Sequence, residues 1–128
     1  MAQFVLRPSG CPPPNGYSHA VSFTGTTVVV SGQVPVDVEG QIVGLGDARA
    51  QVRQVFDNLV AALAGAGGSL GDVVKLTVYL TDMADVADFR LVRDEYFPAD
   101  RPPASSLVEV SRLVHPAFKV EIDAIAAL

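Results

Sequence analysis

The chain has 128 residues, of which 49% are hydrophobic and 18% are charged, and its formal net charge is −5 at pH 7. This length predicts a single domain over residues 1–128, and no apolar run approaches the roughly 18–20 residues that a membrane span needs. The acidic balance argues against nucleic acid as a partner, because affinity for phosphate comes largely from Lys and Arg.

The apolar composition and the single cysteine bear on assembly and on compartment. A small domain has much surface to cover, so its excess of apolar residues favours burial between subunits, that is, an oligomer. Residues Met1–Pro8 lack the basic segment and the long apolar run of a secretion signal. Cys11 has no partner for an internal disulfide. We therefore expect a cytoplasmic oligomer.

The N-terminal third predicts three strands: Gln3–Leu6, His19–Phe23 and Thr26–Val36. Residues 8–16 hold four prolines and two glycines and predict a surface connection. Gly25 predicts a hairpin-like turn between the second and third strands. The β-branched run Val28–Val30 predicts a strand covered on both faces. Gly32 interrupts that strand and indicates a bulge or a close approach to the backbone.

Two amphipathic helices alternate with the remaining strands. The first is predicted over residues 48–64 with Asp47 as its N-cap, and the second over Val86–Phe97 with Asp85 as a candidate cap. The first helix carries one apolar stripe, formed by Val52, Val55, Phe56, Leu59, Val60 and Leu63. The remaining strands are predicted over residues 74–80, 104–110 and 118–126.

The resulting order of elements is β-β-β-α-β-α-β-β. It favours an α+β two-layer domain in which both helices cover one face of a single mixed sheet. The other sheet face, which carries Lys75, Thr77 and Tyr79, is left to solvent or to another subunit. His19 and His115 are isolated in the sequence, so no zinc site is expected.

Several strings, taken in their order and spacing, resemble the Rid/YjgF family over nearly the whole chain, roughly from Gly16 to Ala126. The strings are Tyr17-Ser18, residues 31–35 (SGQVP), Asp57-Asn58-Leu59, residues 71–75 and 77–82, and, most specifically, residues 108–113 (VEVSRL) and 120–126 (VEIDAIA). The resemblance implies a chorismate-mutase-like (YjgF-like) fold and a homotrimer with ligand clefts between subunits. It also implies hydrolysis of enamines or imines such as 2-aminoacrylate to a 2-keto acid and ammonia, with no metal or organic cofactor.

Position 105 departs from the family pattern. The resemblance places a carboxylate-binding arginine at the start of the penultimate strand, where this chain has Ser105. Replacing a bidentate arginine by one hydroxyl is expected to weaken carboxylate binding by roughly one or two orders of magnitude or more. Arg101 is a poor substitute, because four residues of strand span roughly 13 Å and Pro102-Pro103 stiffen the chain between. An arginine from a neighbouring subunit remains open.

The other candidate site residues also follow from the resemblance. Glu121 matches the family's water-positioning carboxylate, although alternation with Lys119 and Asp123 is equally typical of a solvated strand face. Tyr17 matches a tyrosine at the cleft mouth, and its alternative is a surface-packed aromatic residue. Ser31 and Gly32 match cleft-lining residues. Two further members of the predicted substrate site are Ser106 and the backbone of Leu107.

Three functions remain open on this basis. The first is a Rid-type hydrolase whose substrate lacks a carboxylate at the usual place, with Ser105 and Ser106 donating to a neutral group and Glu121 directing water. The second is a non-catalytic trimer that binds a small metabolite or a partner protein in the same clefts. The third and weakest is RNA cleavage, since a net charge of −5 and the lack of a basic stripe disfavour it.

Overall fold

The computed structural model describes residues 1–128 and has the predicted order of elements. The strands are β1 (Ala2–Val5), β2 (Ala20–Phe23), β3 (Thr27–Gln33), β4 (Val73–Leu80), β5 (Ala104–Glu109) and β6 (Val120–Ala127). The helices are α1 (Ala48–Gly65) and α2 (Val86–Tyr96), and short 3-10 turns precede β4 and α2. No helix has the length and the apolar character needed to span a bilayer.

Four strands form a mixed sheet in the order β3-β6-β4-β5, in which only β4 and β5 run parallel. The α+β two-layer class is therefore confirmed, with one correction, because β1 and β2 pair with each other in a separate sheet. The hairpin predicted at Gly25 is wrong. The backbone N–H of Thr24 donates to Met1 O, whereas Thr26 exchanges hydrogen bonds with Leu128, so the two sides of Gly25 have different partners.

The two faces of the mixed sheet differ in burial. Val74, Leu76, Val78 and Leu80 of β4 are buried in the core, which confirms the alternation predicted for this strand. The opposite face, here called the open face, carries Lys75, Thr77 and Tyr79 of β4, Ser106 and Val108 of β5, Glu121, Asp123 and Ile125 of β6, and Val29 of β3. Val29 is 76% exposed, so the prediction that β3 is covered on both faces is wrong within the single chain.

Strand β3 ends three residues earlier than predicted. Its pairing with β6 shifts between Val30 and Gln33, which places a bulge at Ser31-Gly32 and agrees with the irregularity predicted at Gly32. Beyond the bulge, the carbonyl oxygens of Val34 and Val36 accept hydrogen bonds from Asn58 Nδ2 at 3.0 and 2.9 Å. The Asn58 side chain thus binds the carbonyl groups that a neighbouring strand would otherwise bind, and the chain leaves the sheet at this point.

The two predicted helix caps have different outcomes. Asp47 caps α1 as predicted, since its Oδ1 accepts a hydrogen bond from the Ala50 N–H at 3.1 Å. Asp85 precedes α2 but makes no capping hydrogen bond. Its carboxylate lies 3.8 Å from Lys119 Nζ instead. The side-chain cap belongs to Asp82, which accepts from the Ala84 N–H at 2.8 Å and starts the 3-10 turn before the helix.

Aromatic and polar contacts hold α2 against α1. The Phe56 ring lies 5.0 Å from the Tyr96 ring and 5.6 Å from the Phe97 ring, centroid to centroid. The Tyr96 hydroxyl donates to Asp57 Oδ1 at 2.8 Å. Burial and this hydrogen bond raise the pKa of Tyr96 from 10.0 to about 12.

The Tyr96 shift predicts a pH dependence of stability. In the unfolded chain Tyr96 ionises near pH 10.0, whereas in the folded protein it stays protonated to about 12. Its contribution is therefore complete below the unfolded pKa, and the free energy of unfolding should fall as pH rises between those values. Urea unfolding across this range should show a shallower fall for Tyr96→Phe than for the parent protein. Equal slopes would contradict the assignment.

Candidate functional site

The predicted site residues lie in two groups at opposite edges of the mixed sheet. Tyr17, Ser105 and Leu107 lie together at the β5 edge. Gly32 lies at the β3 edge, and Glu121 of the adjacent strand β6 lies against it. Strand β4 lies between the strands of Ser105 and Glu121, and the pairing register places the two side chains on opposite faces of the sheet, so one chain by itself does not bring them into one site.

A cavity of about 340 Å³ opens at the β5 edge, between β5, α2 and the proline-rich loop. We call it the β5-edge cavity. Ser105 is in register with the buried Leu76, so its side chain lies on the helix side of the sheet. The lining residues are Pro13, Asn15, Tyr17, Phe89, Arg90, Arg93, Ser105 and Leu107. Leu107 also packs against the core, so its side chain has a structural role there.

Arg93 positions the loop that carries Tyr17. Its side chain is 8% exposed, and its N–H groups donate to the Asn15 backbone oxygen at 3.0 Å and to Asn15 Oδ1 at 3.3 Å. Gly16 has φ of 70° and lies directly against the Arg93 guanidinium, where a side chain would collide with it. The sequence did not single out Arg93. One feature of the sequence could have indicated it. Arg93 follows Phe89 by four residues, at a helix position where the apolar stripe predicts a buried apolar residue.

The start of β5 is fixed to the same loop. The Ser18 N–H donates to Pro103 O at 3.1 Å, and the buried Ser18 hydroxyl donates to Pro102 O. A larger cavity of about 530 Å³ shares Tyr17 and Arg93 with the β5-edge cavity, but it has no residue of β5 in its walls.

Arg101 lies outside the β5-edge cavity. Its guanidinium carbon is 4.7 Å from the centre of the Phe4 ring, in cation–π contact. It lines a different cavity, together with Leu70 and Tyr96. The stiff Pro102-Pro103 segment therefore directs Arg101 away from Ser105.

Glu121 and Gly32 form a close pair at the β3 edge. A Cβ atom on Gly32 would collide with Glu121 Oε2 and would lie 2.9 Å from Cδ. Glycine at this position thus leaves the space that the carboxylate occupies, and φ at Gly32 is not in the left-handed region. Ser31 is exposed next to this pair, and its carbonyl oxygen accepts a hydrogen bond from Gln33 Nε2 at 3.1 Å.

Glu121 differs from its neighbours on β6. Asp123 accepts a hydrogen bond from the Tyr79 hydroxyl at 3.1 Å, and Lys119 lies 3.8 Å from Asp85. The bond to Asp123 raises the pKa of Tyr79, and the charges of Asp123 and Glu121 act in the same direction. The Glu121 carboxylate itself has no hydrogen bond or ion pair within the chain, so its oxygens are available to an outside donor.

Ser106 is separated from Ser105 by strand alternation. Its Oγ lies on the open face and accepts a hydrogen bond from Lys75 Nζ at 2.7 Å. The two serines that were predicted to act together on a ligand therefore point to opposite sides of the sheet.

Comparison with known proteins decides the family. The family described as Endoribonuclease L-PSP matches residues 9–128 of the chain. A RutC family protein of Pyrococcus abyssi is 42% identical over 127 residues, which cover 98% of both chains. The chain belongs to the Rid/YjgF family. The 3-aminoacrylate deaminase RutC of Acinetobacter baylyi is 38% identical over 126 residues and 98% of both chains.

Solved structures of Rid/YjgF proteins have the same fold as this chain. A Rid family protein of unknown function from Yersinia pestis matches with a TM-score of 0.89 and 35% identity, over 99% of this chain and 98% of that one. The YjgF-like fold implied by the sequence strings is therefore confirmed. No group of three or more His, Cys, Asp or Glu side chains is close enough to hold a metal ion, and the absence of a cofactor stays a prediction for this Rid/YjgF member.

Proposed function

We propose that this Rid/YjgF protein is a homotrimer that binds small imine, enamine or carbonyl metabolites in clefts between subunits and hydrolyses their C=N bonds. The observation that carries the proposal is the Glu121 carboxylate, which lies against Gly32 without a partner in its own chain. A carboxylate held in this way is suited to bind a water molecule and to move its protons. The Acinetobacter relative named as a 3-aminoacrylate deaminase supports this reaction class.

The arrangement of the two residue groups supports a ring of subunits. The β5-edge cavity and the Glu121–Gly32 pair lie toward opposite edges of one sheet, so they would meet if the β5 edge of one copy faced the β3 edge of the next. Such a head-to-tail contact repeats around a closed ring. Two apolar residues of the open face would be covered by it, Val29 at 76% exposure and Val108 at 43%.

Light scattering should give three times the 13.4 kDa chain mass.

The proposed reaction needs one water molecule and no redox step. An enamine such as 2-aminoacrylate takes up a proton at carbon and loses one from nitrogen, which gives the imine. Glu121 accepts a proton from water as the oxygen bonds to the imine carbon, and it passes that proton to the nitrogen. The C–N bond then breaks, ammonia leaves, and the carbinol oxygen loses its proton to form the ketone. Tyr17 and Ser105 would contact the ligand from the neighbouring subunit.

The test is ammonia release from 2-aminoacrylate, or from another small enamine, generated in situ by a dehydratase. Glu121→Gln is expected to slow enzymatic release by about 100-fold or more, because the amide cannot accept the proton. Asp123→Asn is the matched control. It changes an acid on the same strand and the same face, but that acid already accepts a bond from Tyr79, so the rate should stay near that of the parent protein.

Two outcomes would contradict the proposal. One is no acceleration by the parent protein with any small enamine or imine tested. The other is equal rates for the parent protein and Glu121→Gln, which would assign the ammonia release to the uncatalysed reaction.

The description of the matching family also raises RNA cleavage as a function. The surface charge disfavours it, since the chain has 9 Lys and Arg against 14 Asp and Glu. Three of the arginines, Arg49, Arg53 and Arg93, are also paired with carboxylates of the same chain. Few cations are left to contact phosphates, so hydrolysis of a small molecule is the better-supported function.

A further inference from the structure

The β5-edge cavity is lined by two arginines and by no acidic residue. Arg90 and Arg93 both come from α2, three residues apart, so they project from the same side of the helix. The remaining walls come from neutral residues. The fixed charge that faces the cavity is therefore positive, although the residue at position 105 is a neutral serine.

The two arginines differ in what they already bind. Arg93 is nearly buried, and its N–H groups are engaged by Asn15 and by Asp94, whose Oδ1 is 2.9 Å away. Asp94 also compensates its charge. Arg90 is exposed and has no hydrogen bond or ion pair with any residue of the chain. All five of its N–H donors are therefore without a partner in the chain, at a residue that lines the cavity.

Ser105 leaves room for a ligand beside Arg90. A serine side chain is far smaller than an arginine, and the cavity it lines has a volume of about 340 Å³. Planar guanidinium groups bind carboxylates through two parallel N–H···O bonds. A cation on the helix can therefore replace one on the strand, provided that the strand residue is small.

We propose that Arg90 binds the carboxylate of a small 2-keto, 2-imino or enamine acid in the β5-edge cavity. The proposal rests on the function proposed above, because it takes this cavity as one half of the ligand site. It changes the expectation from the sequence, in which the serine at position 105 implied a substrate without a carboxylate at this place. Ser105 and Tyr17 then contribute hydroxyl groups around a ligand whose charge is bound by α2.

Binding of pyruvate and of its neutral amide tests this role by calorimetry, without any need for turnover. The parent protein should bind pyruvate more tightly than pyruvamide. Arg90→Gln should weaken pyruvate binding by about 10- to 100-fold and leave pyruvamide binding unchanged. Glutamine keeps the helix propensity of the exposed position, so folding and oligomeric state should not change.

Two further variants separate a direct contact from a general effect of charge. Arg49→Gln removes an arginine of the outer helix surface, which is 54% exposed in its ion pair with Asp88, and should bind pyruvate like the parent protein. Arg90→Gln combined with Ser105→Arg returns a guanidinium to the cavity from the strand, and should restore the preference for pyruvate over pyruvamide.

Several results would overturn the assignment: no binding of pyruvate by the parent protein, equal affinity for acid and amide, equal losses in Arg90→Gln and Arg49→Gln, or a changed oligomeric state in Arg90→Gln. The failure of this inference is distinguishable from failure of the proposed hydrolysis. Ammonia release that depends on Glu121 would support hydrolysis even if Arg90→Gln bound pyruvate normally. Loss of pyruvate binding in Arg90→Gln would support the anion site even if no ammonia were released.

Discussion

Gln51→Leu is expected to lower the free energy of unfolding by about 3 kcal/mol, the largest stability effect of any single substitution considered for this chain. The Gln51 side chain is fully buried in α1. Its Nε2 donates to Gly44 O at 3.0 Å and to Ala117 O at 2.9 Å, and its Oε1 accepts from the Lys119 N–H at 2.8 Å. Leucine has a similar volume, but it leaves the part-buried Ala117 carbonyl and Lys119 N–H without a partner and leaves Gly44 O only its bond from the Asp47 N–H. Urea unfolding at one fixed protomer concentration measures the loss.

Gln54→Leu provides the matched control on the same helix. Gln54 makes one side-chain hydrogen bond, from its Nε2 to Asn58 Oδ1 at 2.9 Å, so the same substitution should cost about 1 kcal/mol. If Gln51→Leu does not fold, Gln51→Glu gives a second measurement. Its carboxyl group can donate only when protonated, so this variant should become more stable, relative to the parent protein, as pH falls through the carboxyl pKa. Equal losses for the two leucine variants would refute the role given to Gln51.

Gly32→Ala is expected to reduce turnover by about 10- to 100-fold while changing the free energy of unfolding by less than about 1 kcal/mol. The added methyl group meets the Glu121 carboxylate rather than the backbone. The φ angle of Gly32 lies in a region open to alanine, so the backbone can stay in place. The flexible end of Glu121 therefore moves, and the proposed water site moves with it. The ammonia assay and urea unfolding, applied to the same preparations, separate the two effects.

Gly65→Ala is the matched control for Gly32→Ala. Gly65 ends α1, and apart from its chain neighbours and the helix backbone no atom lies within 4 Å of the place where its Cβ would be. Both activity and stability should stay close to those of the parent protein. The role of Gly32 would be contradicted by full activity in Gly32→Ala. A stability loss as large as that of Gln51→Leu would also contradict it, because backbone strain rather than displacement of Glu121 would then be the cause.

Local patterns predicted the elements whose side chains repeat with a regular period. The stripe of α1 and the alternation of β4 depend on neighbours within a few residues. Both are confirmed except at Val60 of the stripe, which is 40% exposed. The Asp47 cap has the same local character, since it binds an N–H three residues away. The strings that resemble the Rid/YjgF family also predicted the fold and the family, and both predictions are confirmed.

The errors occur where a distant residue decides the structure. The turn at Gly25 forms no hairpin because Thr26 pairs with Leu128, at the other end of the chain. Strand β3 stops at Gln33 because Asn58 takes up the next carbonyl groups. The role of Gln51 could not be predicted, because an isolated glutamine in a helix carries no periodic signal.

The identity of residue 105, the order of elements and the family could all be read from the chain before any coordinates. The arrangement of the site could not. Strand alternation places Ser105 on the helix side and Glu121 on the open face, but only the strand order puts β4 between their two strands and sets Glu121 against the β3 edge. Only the docking of α2 brings Arg90 to the cavity that Ser105 lines. Periodicity is a local property of a sequence, whereas the order of strands and the packing of a helix against the sheet depend on contacts between residues far apart in the chain.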